Sequence, residues 1–504
     1  MLKLRLALLA LLCSGSLLAQ LQVVKSIELP YEDEFDSTYF KPVGEKGILQ
    51  LAVQEESRDD YIRVRVMRYD TNLKFVSEHS FKMNTEDYDY PKRQFINNQF
   101  HFQLKDGDEY LRYIIYDPFS QDTITINYAA QEDNEYLSAQ YYDGTLYMAE
   151  RNDDGISLAY YNLEEKQWHR RPFRPSNVKL KYLEIDKLYF PQSDYGQTDA
   201  LFLRATIRIK RGLYVNRLYM VHPDGIVDEF DLSTKEIPFV HQLTILDHQD
   251  PQKFTLIGTY GQEYSQLGIF AGEINRSGYS VKARYSYGAD FDSLARDTSG
   301  LLGYFTRRAK RKAREKNEEL DMPLLTVSHP VKRLPDGGFL WVAEVFNITY
   351  TNTTVLDASG NYTNQQVFDG FQTTQGLVMR LDSNYQKVWD RNFPVVPYHK
   401  PLRVKRFLNI DYNEDYINFV YQINKSMSER TFNYNGEVTY KSDTMPLVEN
   451  KDERVRYNAK VTTDSWYQNY LISYGYLKIK NREDRDKSRE VYSLKKMAIT
   501  KKEE

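Results

Sequence analysis

Apolar and polar residues alternate along most of the chain in short stretches that are separated by polar turns. Residues 145–150 (TLYMAE) and 156–162 (ISLAYYN) illustrate this, with the polar sequence RNDDG between them. Alternation at every second position, or a short apolar run bounded by turn residues, is typical of strands that are buried on one or both faces. The pattern therefore predicts a β-hairpin here, and similar patterns predict strands throughout the chain.

The same hairpin unit recurs, and it usually ends in an Asp or Asn. Such side chains bond to nearby backbone and tolerate left-handed conformations, so they suit the turn that follows the second strand. A further unit, at about residues 470–499, has no such residue. The marker residues of the other units are Asp70, Asp117, Asn162, Asp224, Asn275, Asp382 and Asn435.

The spacing of the markers predicts the fold class. Most successive markers are roughly 50 residues apart, and four-stranded repeats of about this length are typical of propeller blades. We therefore predict an all-β protein: a β-propeller of seven or eight blades, in a single domain over residues 20–504. An early strand in residues 21–29 is expected to join the last blade and remove an exposed edge. A stacked pair of β-sandwiches is the alternative, but sandwiches less readily produce such regular spacing.

The first nineteen residues have the layout of a secretory signal peptide. Lys3 and Arg5 precede an apolar run, and small residues lead to the Ala19–Gln20 junction. The run is short for a membrane span, so we predict cleavage after Ala19, with a retained anchor helix as the alternative. Cys13 is the only cysteine and lies within this segment, so the mature chain could form no disulfide.

Charge and composition restrict the classes of partner. The chain has a formal net charge of −4, and loss of Lys3 and Arg5 with the leader would make it −6. Such a chain has no general attraction for nucleic acid. The 42 Tyr and 25 Phe residues favour half-buried pleated surfaces over disorder.

Two insertions interrupt the repeat, at about residues 286–325 and 347–374. The first is predicted to form a helix near 301–322, with an apolar stripe that includes Leu301 and Phe305 and a basic opposite face. We interpret the basic residues either as a docking site for an acidic protein, glycan or anionic envelope surface, or as a solvated helix on the propeller rim. The candidate partner-binding residues are Arg307, Arg308, Lys310, Arg311, Lys312, Arg314 and Lys316.

The second insertion, residues 347–374, is rich in Asn and Thr and nearly uncharged. We interpret this segment either as a long β-hairpin with residues 357–361 (DASGN) at its tip, or as a mobile loop.

No catalytic, metal-binding or cofactor-binding motif is present, so we predict no catalytic residue, no metal and no cofactor. The eight histidines form no HExxH pattern. The cluster of His241, Asp247, His248 and Asp250 reads as ordinary polar surface. Glycosidase chemistry needs two carboxylates at a fixed separation across a pocket, which sequence cannot reveal.

In architecture the chain resembles a secreted β-propeller, and its Ala19–Gln20 junction resembles those of exported proteins of the Bacteroidota. The resemblance implies an exported, periplasmic or envelope-associated protein without a transmembrane span. A non-catalytic binding or scaffold propeller is the favoured interpretation. A carbohydrate-active hydrolase or lyase, or a glycan-binding lectin, is the alternative.

Overall fold

The computed structural model confirms an all-β chain. It describes residues 19–55, 61–84, 92–106, 110–129, 135–152, 155–192, 200–211, 213–222, 225–248, 250, 252–296, 308, 311, 315, 320–356, 362–413, 415–442, 445–481 and 488–501. The chain forms two compact units: residues 1–84, 343–378 and 392–504 make the first, and residues 85–342 and 379–391 make the second.

The second unit contains four sheets, each of four strands in chain order. The first has β6 (Lys92–Ile96), β7 (Gln99–Asp106), β8 (Tyr110–Tyr116) and β9 (Thr123–Ala129). The next has β10 (Glu135–Tyr142), β11 (Thr145–Arg151), β12 (Ile156–Asn162) and β13 (Gln167–Phe173). The third has β14 (Leu183–Tyr189), β15 (Leu201–Lys210), β16 (Leu213–Val221) and β17 (Val227–Asp231). The fourth has β18 (Phe239–Asp247), β19 (Phe254–Gln262), β20 (Ser265–Asn275) and β21 (Gly278–Ser286).

The first unit contains three sheets. One has β2 (Ser37–Pro42), β3 (Ile48–Glu55), β4 (Tyr61–Tyr69) and β5 (Phe75–Asn84). Another has β27 (Val396–Pro397), β28 (Asn409–Tyr412), β29 (Tyr416–Asn424), β30 (Ser426–Asn433), β31 (Val438–Lys441) and β32 (Met445–Pro446). The third has β1 (Ala19–Pro30), β33 (Glu453–Ser465), β34 (Tyr470–Asn481) and β35 (Ser488–Lys501).

An eighth sheet has five strands. Its strands are β22 (Leu325–Ser328), β23 (Lys332–Arg333), β24 (Phe339–Leu356), β25 (Tyr362–Leu381) and β26 (Lys387–Pro394). Short 3₁₀ turns lie at Gly44–Lys46 and Leu180–Tyr182, and a five-residue helix, α1, spans Asp292–Arg296. Eight successive sheets of four to six strands confirm the predicted propeller class and give about eight blades.

The core lies between sheets that follow one another in the chain. In the second unit, one cluster joins Phe202 and Leu218 of the β14–β17 sheet to Phe254 and Phe270 of the β18–β21 sheet. In the first unit, the faces of the first and last sheets pack together, with Phe40 of β2 in the same cluster as residues of the last sheet. Central strands such as β3 and β19 bury successive residues and hence both faces, which explains their apolar runs.

The predicted early strand is confirmed as part of the last sheet. β1 pairs antiparallel with β35 from Ala19↔Lys501 to Pro30↔Val491. The last sheet therefore takes its fourth strand from the start of the chain. The strand beside β35 is β1 and not a strand joined to β35 by a turn, so the turn that carries the marker in the other sheets has no counterpart here. This explains why the last unit has no marker residue.

The marker residues lie at equivalent turns, between the third and fourth strands of their sheets. The Oδ1 atom of Asp70 accepts hydrogen bonds from Asn72 N and Lys74 N, both at 2.8 Å. Asp382 Oδ1 accepts two further bonds of 2.8 Å in the same way. Asp224 lies outside the described residues. The predicted position of the marker was wrong in one sheet: Asn433, and not Asn435, accepts the equivalent bonds, from Asn435 N at 3.0 Å and Glu437 N at 2.9 Å.

The first insertion contains helix, but not over the whole predicted range. Residues 308, 311 and 315 are helical, whereas residues 320–322 are not. The predicted apolar stripe lies outside the described residues. The short helix α1 was not predicted. Its first turn is held by the buried Asp390, whose Oδ2 accepts from Ser293 N at 2.7 Å, and this cap comes from a residue far along the chain.

Candidate binding surfaces

The buried carboxylates of the protein bind strands and loops to one another. Glu344 on β24 is fully buried. Its carboxylate accepts backbone bonds from Phe407 N at 2.7 and 2.8 Å and from Leu408 N at 2.8 Å. These bonds fix the segment that leads into β28. Because an unpaired buried carboxylate is costly, the loop and the acid stabilise each other.

Two other fully buried carboxylates also have specific partners. Glu150 on β11 accepts a hydrogen bond from the Tyr128 hydroxyl and lies 3.6 Å from Arg170 Nε. Glu429 on β30 accepts from Leu21 N at 3.0 Å and from Asn418 Nδ2 at 2.8 Å. Burial outweighs these two bonds and raises the pKa of Glu429 to about 7.

A fourth acid, Glu273 on β20, belongs to a larger polar cluster. The Tyr385 hydroxyl donates to Glu273 Oε1 at 2.7 Å and lies 3.0 Å from Thr255 Oγ1. Lys253 and Lys282 pair with the same carboxylate at 3.0 and 3.3 Å. Burial acts to raise the pKa of Glu273, but the bonds from Tyr385 and Lys253 hold it below its ordinary value.

The polar cluster around Glu273 holds Tyr385 in an unusual backbone conformation. Tyr385 follows the marker Asp382 in a left-handed conformation, with φ of 64°, and its ring stacks on Phe339 at 5.5 Å. A bulky residue at positive φ is strained unless its surroundings hold it. The cluster therefore anchors the β25–β26 turn to the neighbouring sheet. The four acids Glu150, Glu273, Glu344 and Glu429 lie in four different sheets, and each is bonded into the frame.

The histidine cluster predicted as polar surface is partly buried. His241 Nε2 lies 2.7 Å from Gln262 O and 3.2 Å from Ser265 O, so the ring donates to backbone carbonyls. His248 Nε2 lies 2.7 Å from Thr255 Oγ1. The two rings thus have separate partners. Within the described ranges, no three His, Cys, Asp or Glu side chains are grouped as a metal site would require.

The structure describes two of the seven residues of the predicted basic surface. Arg308 and Arg311 are helical and exposed, and Arg311 Nε lies 3.8 Å from Glu315 Oε1 one turn later. Residues four positions apart are neighbours on a helix surface, so the i,i+4 spacing accounts for this contact. The other five candidates, Arg307, Lys310, Lys312, Arg314 and Lys316, lie outside the described residues.

The second insertion forms a long hairpin, which decides between the two predicted interpretations in favour of strands. β24 has eighteen residues and β25 has twenty, whereas β22 has four and β23 two. Outside residues 357–361, which the structure does not describe, the whole insertion is strand. We call residues 347–356 and 362–369 the arm. Over residues 347–354 and 362–369, every side chain is exposed except the half-buried Thr349 and Asp369.

Aromatic contacts run along one face of the arm. Phe346, buried at the root, lies 5.5 Å edge-to-face from Phe371. Phe371 lies 5.2 Å from Phe368, which in turn lies 6.3 Å from Tyr350. Phe368 and Tyr350 are 39% and 58% exposed. Edge-to-face contacts of this kind stabilise aromatic pairs beyond their buried area, so the row stiffens the hairpin while leaving its outer rings in water.

Threonines bind the two strands of the arm together on the other face. Thr351 Oγ1 donates to Asp369 Oδ2 at 2.9 Å, and Lys400 Nζ pairs with the same oxygen at 2.9 Å. Hydrogen bonds from Thr349, Lys400 and Thr351 hold the pKa of Asp369 at about 2. The acid at the root of the arm is therefore ionised and neutralised by Lys400, and the rest of the arm has no charge.

The aromatic row was missed in the sequence, although its signal was present. Phe346, Ile348 and Tyr350 alternate at every second position and so share a face of one strand. Their partners on β25 were not predicted because Phe368 and Phe371 are three positions apart, so strict alternation would place them on opposite faces of the strand. Gly370, with φ of 121°, lies between them.

Among the described residues, no helix is long and apolar enough to cross a membrane.

Comparisons with known proteins do not assign the chain to a family. No protein-family model matches the sequence, and no curated protein matches it. Several solved structures are similar in fold at low identity. The WD40 domain of SCAP from fission yeast is 7% identical with a TM-score of 0.39, covering 95% of this chain and 98% of that one. The Dos1 propeller is 8% identical with a TM-score of 0.39 and 96% coverage of both chains. The polysaccharide lyase Uly1 is 9% identical with a TM-score of 0.33, covering 95% and 100%.

Proposed function

We propose that this protein is an exported, non-catalytic binding or scaffold β-propeller of the cell envelope, which captures an acidic partner on its basic segment, residues 307–316. One observation carries the proposal. Seven of these ten residues are basic in a chain of net charge −4, and the two that are described, Arg308 and Arg311, are exposed on a helix. The buried carboxylates, by contrast, are bonded into the frame.

The electrostatics favour an acidic partner. A concentrated positive segment on a negatively charged protein attracts anionic surfaces locally while the remaining surface repels them, which selects both the partner and its orientation. The partner would be an acidic protein surface, an anionic glycan or anionic lipid headgroups. Such binding weakens as salt rises, because exposed charges are screened beyond about 10 Å at 0.1 M ionic strength.

Export is supported by the sequence and is compatible with the fold. Lys3 and Arg5, the apolar run and the small Ala19 fit a cleaved leader. β1 is paired from Ala19 onward, so cleavage after Ala19 would leave the closing strand nearly whole.

The test replaces Arg307, Arg308, Lys310, Arg311 and Lys312 by Gln, which keeps helix propensity and removes five charges. The probes are vesicles with an anionic lipid fraction, heparin and envelope proteins from the producing cells, each at about 50 mM and about 300 mM salt. We expect capture of at least one probe at low salt to fall at least about tenfold, with little change in thermal stability, since exposed charges contribute little to folding.

A matched control removes the same charge from scattered exposed positions. The control variant replaces Lys74, Lys235, Lys332, Lys441 and Lys451 by Gln. If both variants lose capture equally, net charge and not the segment is responsible. Equal capture of every probe by the wild type and the segment variant would mean that the segment is only a solvated helix.

A further inference from the structure

We propose that the arm pairs with the arm of a second copy of this chain, to form a two-fold symmetric dimer through a shared β-sheet. This inference is independent of the basic segment and of any acidic partner.

The first reason is that the arm has an open strand edge. Among the described strands, β24 is paired with β22, β23 and β25. β22 and β23 are six residues long together, against eighteen in β24. β22 begins only at Leu325, because Leu324, the residue before it, is bonded to Gln266 of β20 through Leu324 N at 2.9 Å. Among the described residues, no strand pairs with the outer edge of residues 347–354, so this edge has backbone donors and acceptors available to another strand.

The second reason is that this edge carries none of the devices that normally prevent pairing. Edge strands are commonly protected by Lys, Pro or inward-pointing charges. Charged residues make up 27% of the chain, yet residues 347–356 and 362–368 contain no charged residue and no proline. An isolated two-stranded hairpin is also only marginally stable in water, and added strands stabilise it. The composition of the arm thus favours a covered edge.

The third reason concerns the identity of the occupant. A charged partner finds no complementary charge on the arm, whereas a second neutral arm meets no repulsion. Antiparallel pairing across a two-fold axis places like faces together. In the register that sets Tyr350 opposite its own copy, Thr349 lies opposite Thr351. Both are favourable cross-strand pairs. The arm therefore supplies both sides of the proposed contact.

The size of the contact sets the expected strength. Ten residues of strand span about 34 Å, and a two-stranded arm is about 10 Å wide. An interface of these dimensions lies at the small end of specific interfaces, below about 1,200 Å² in total. The dimer should therefore be weak and depend on protein concentration.

The experiment measures mass by sedimentation and light scattering between about 1 and about 500 µM, a range suited to micromolar dissociation constants. The wild type should shift from one chain towards two. One variant carries Tyr350→Lys and Asn352→Lys, and a second carries Tyr350→Glu and Asn352→Glu. Each variant alone should remain a monomer, because like charges oppose each other across the two-fold axis.

Mixing the two variants decides the question. Opposite charges on the paired arms should restore a dimer that contains one copy of each, which a folding defect could not do. A control variant with Ile124→Lys and Val438→Lys, at exposed apolar positions on other outer strands, should dimerise like the wild type. A wild type that stays monomeric throughout, Lys variants that still dimerise, or a mixture that stays monomeric would each overturn the proposal.

Discussion

Single residues show how a few buried polar groups hold the blades of this protein together. Tyr385 sits at a strained turn position because Glu273, Thr255 and Phe339 hold it there. Glu429 sits on β30, yet it accepts a bond from Leu21 at the start of the chain. Each such residue stabilises a contact between elements that are distant in sequence, at the cost of burying a titratable group.

The raised pKa of Glu429 leads to a testable prediction of how the stability of the protein depends on pH. Its pKa in the folded protein is about 7, above its ordinary value of 4.5. The folded state therefore binds more protons than the unfolded state between these values, and stability falls as pH rises through this window. Glu429→Gln should remove that loss, so the free energy of unfolding of the variant, relative to the wild type, should increase by on the order of 2–3 kcal/mol from pH 5 to pH 8. Denaturant unfolding at both pH values measures this difference.

Other groups titrate in the same pH range, and for one of them, His101, stability changes with pH in the opposite direction. Burial lowers the pKa of His101 to about 4, so its contribution to stability is lost as pH falls. The comparison of wild type with variant cancels such terms. Glu437→Gln, at an exposed position on the same sheet, serves as the control. A difference that does not change between pH 5 and pH 8 would refute the assignment to Glu429.

At the scale of elements, β1 completes the last sheet. It pairs with β35 along its whole length, and Arg489 on β35 pairs with Glu28 on β1 at 2.7 Å and with Glu453 on β33. Leu21 packs in a core cluster with Met497 and Ile499. The start and the end of the chain are therefore held in one sheet by backbone bonds, apolar packing and charge.

Deletion of residues 20–30 should consequently destabilise a leaderless chain. We expect a fall in melting temperature of at least about 5 °C, because a few kcal/mol shifts the melting point of a large domain by this amount. A synthetic peptide QLQVVKSIELP, added in excess, should restore part of the loss, since a ligand that binds only the folded state stabilises it. A scrambled peptide is the control. A truncated chain that melts like the complete one would show that β1 is dispensable.

At the scale of the whole molecule, the repeated sheet accounts for the length and composition of the chain. Each core cluster lies between sheets that follow one another in the chain or, in the first unit, between the last sheet and the first. Central strands of these sheets are therefore apolar on both faces, as β3 and β19 are. The arm and the basic segment are insertions into these repeated sheets. The two proposals rest on these insertions.

The proposal of export makes a prediction at this scale. If the leader is cleaved after Ala19, protein recovered from the envelope of the producing cells should begin at Gln20, because Ala19 is small and follows the apolar run. N-terminal mass analysis measures this. A chain that retains Cys13 would contradict cleavage. A chain in which Ala19→Arg blocks the cut should accumulate with its leader attached.

The sequence by itself determined the strands, the repeat, the approximate blade number and the addition of β1 to the last sheet. These features follow from alternation and turn chemistry within a few neighbouring residues, and such local preferences need no distant partner. Even the capping turns were predictable, except that Asn433 and Asn435 compete within one short stretch. Only the tertiary structure decided that Glu429 meets Leu21, that Tyr385 bonds to Glu273, and that Phe371 continues the aromatic row beyond Gly370. Burial and bonding of these groups depend on residues that lie tens to hundreds of positions away, and no local pattern encodes that distance.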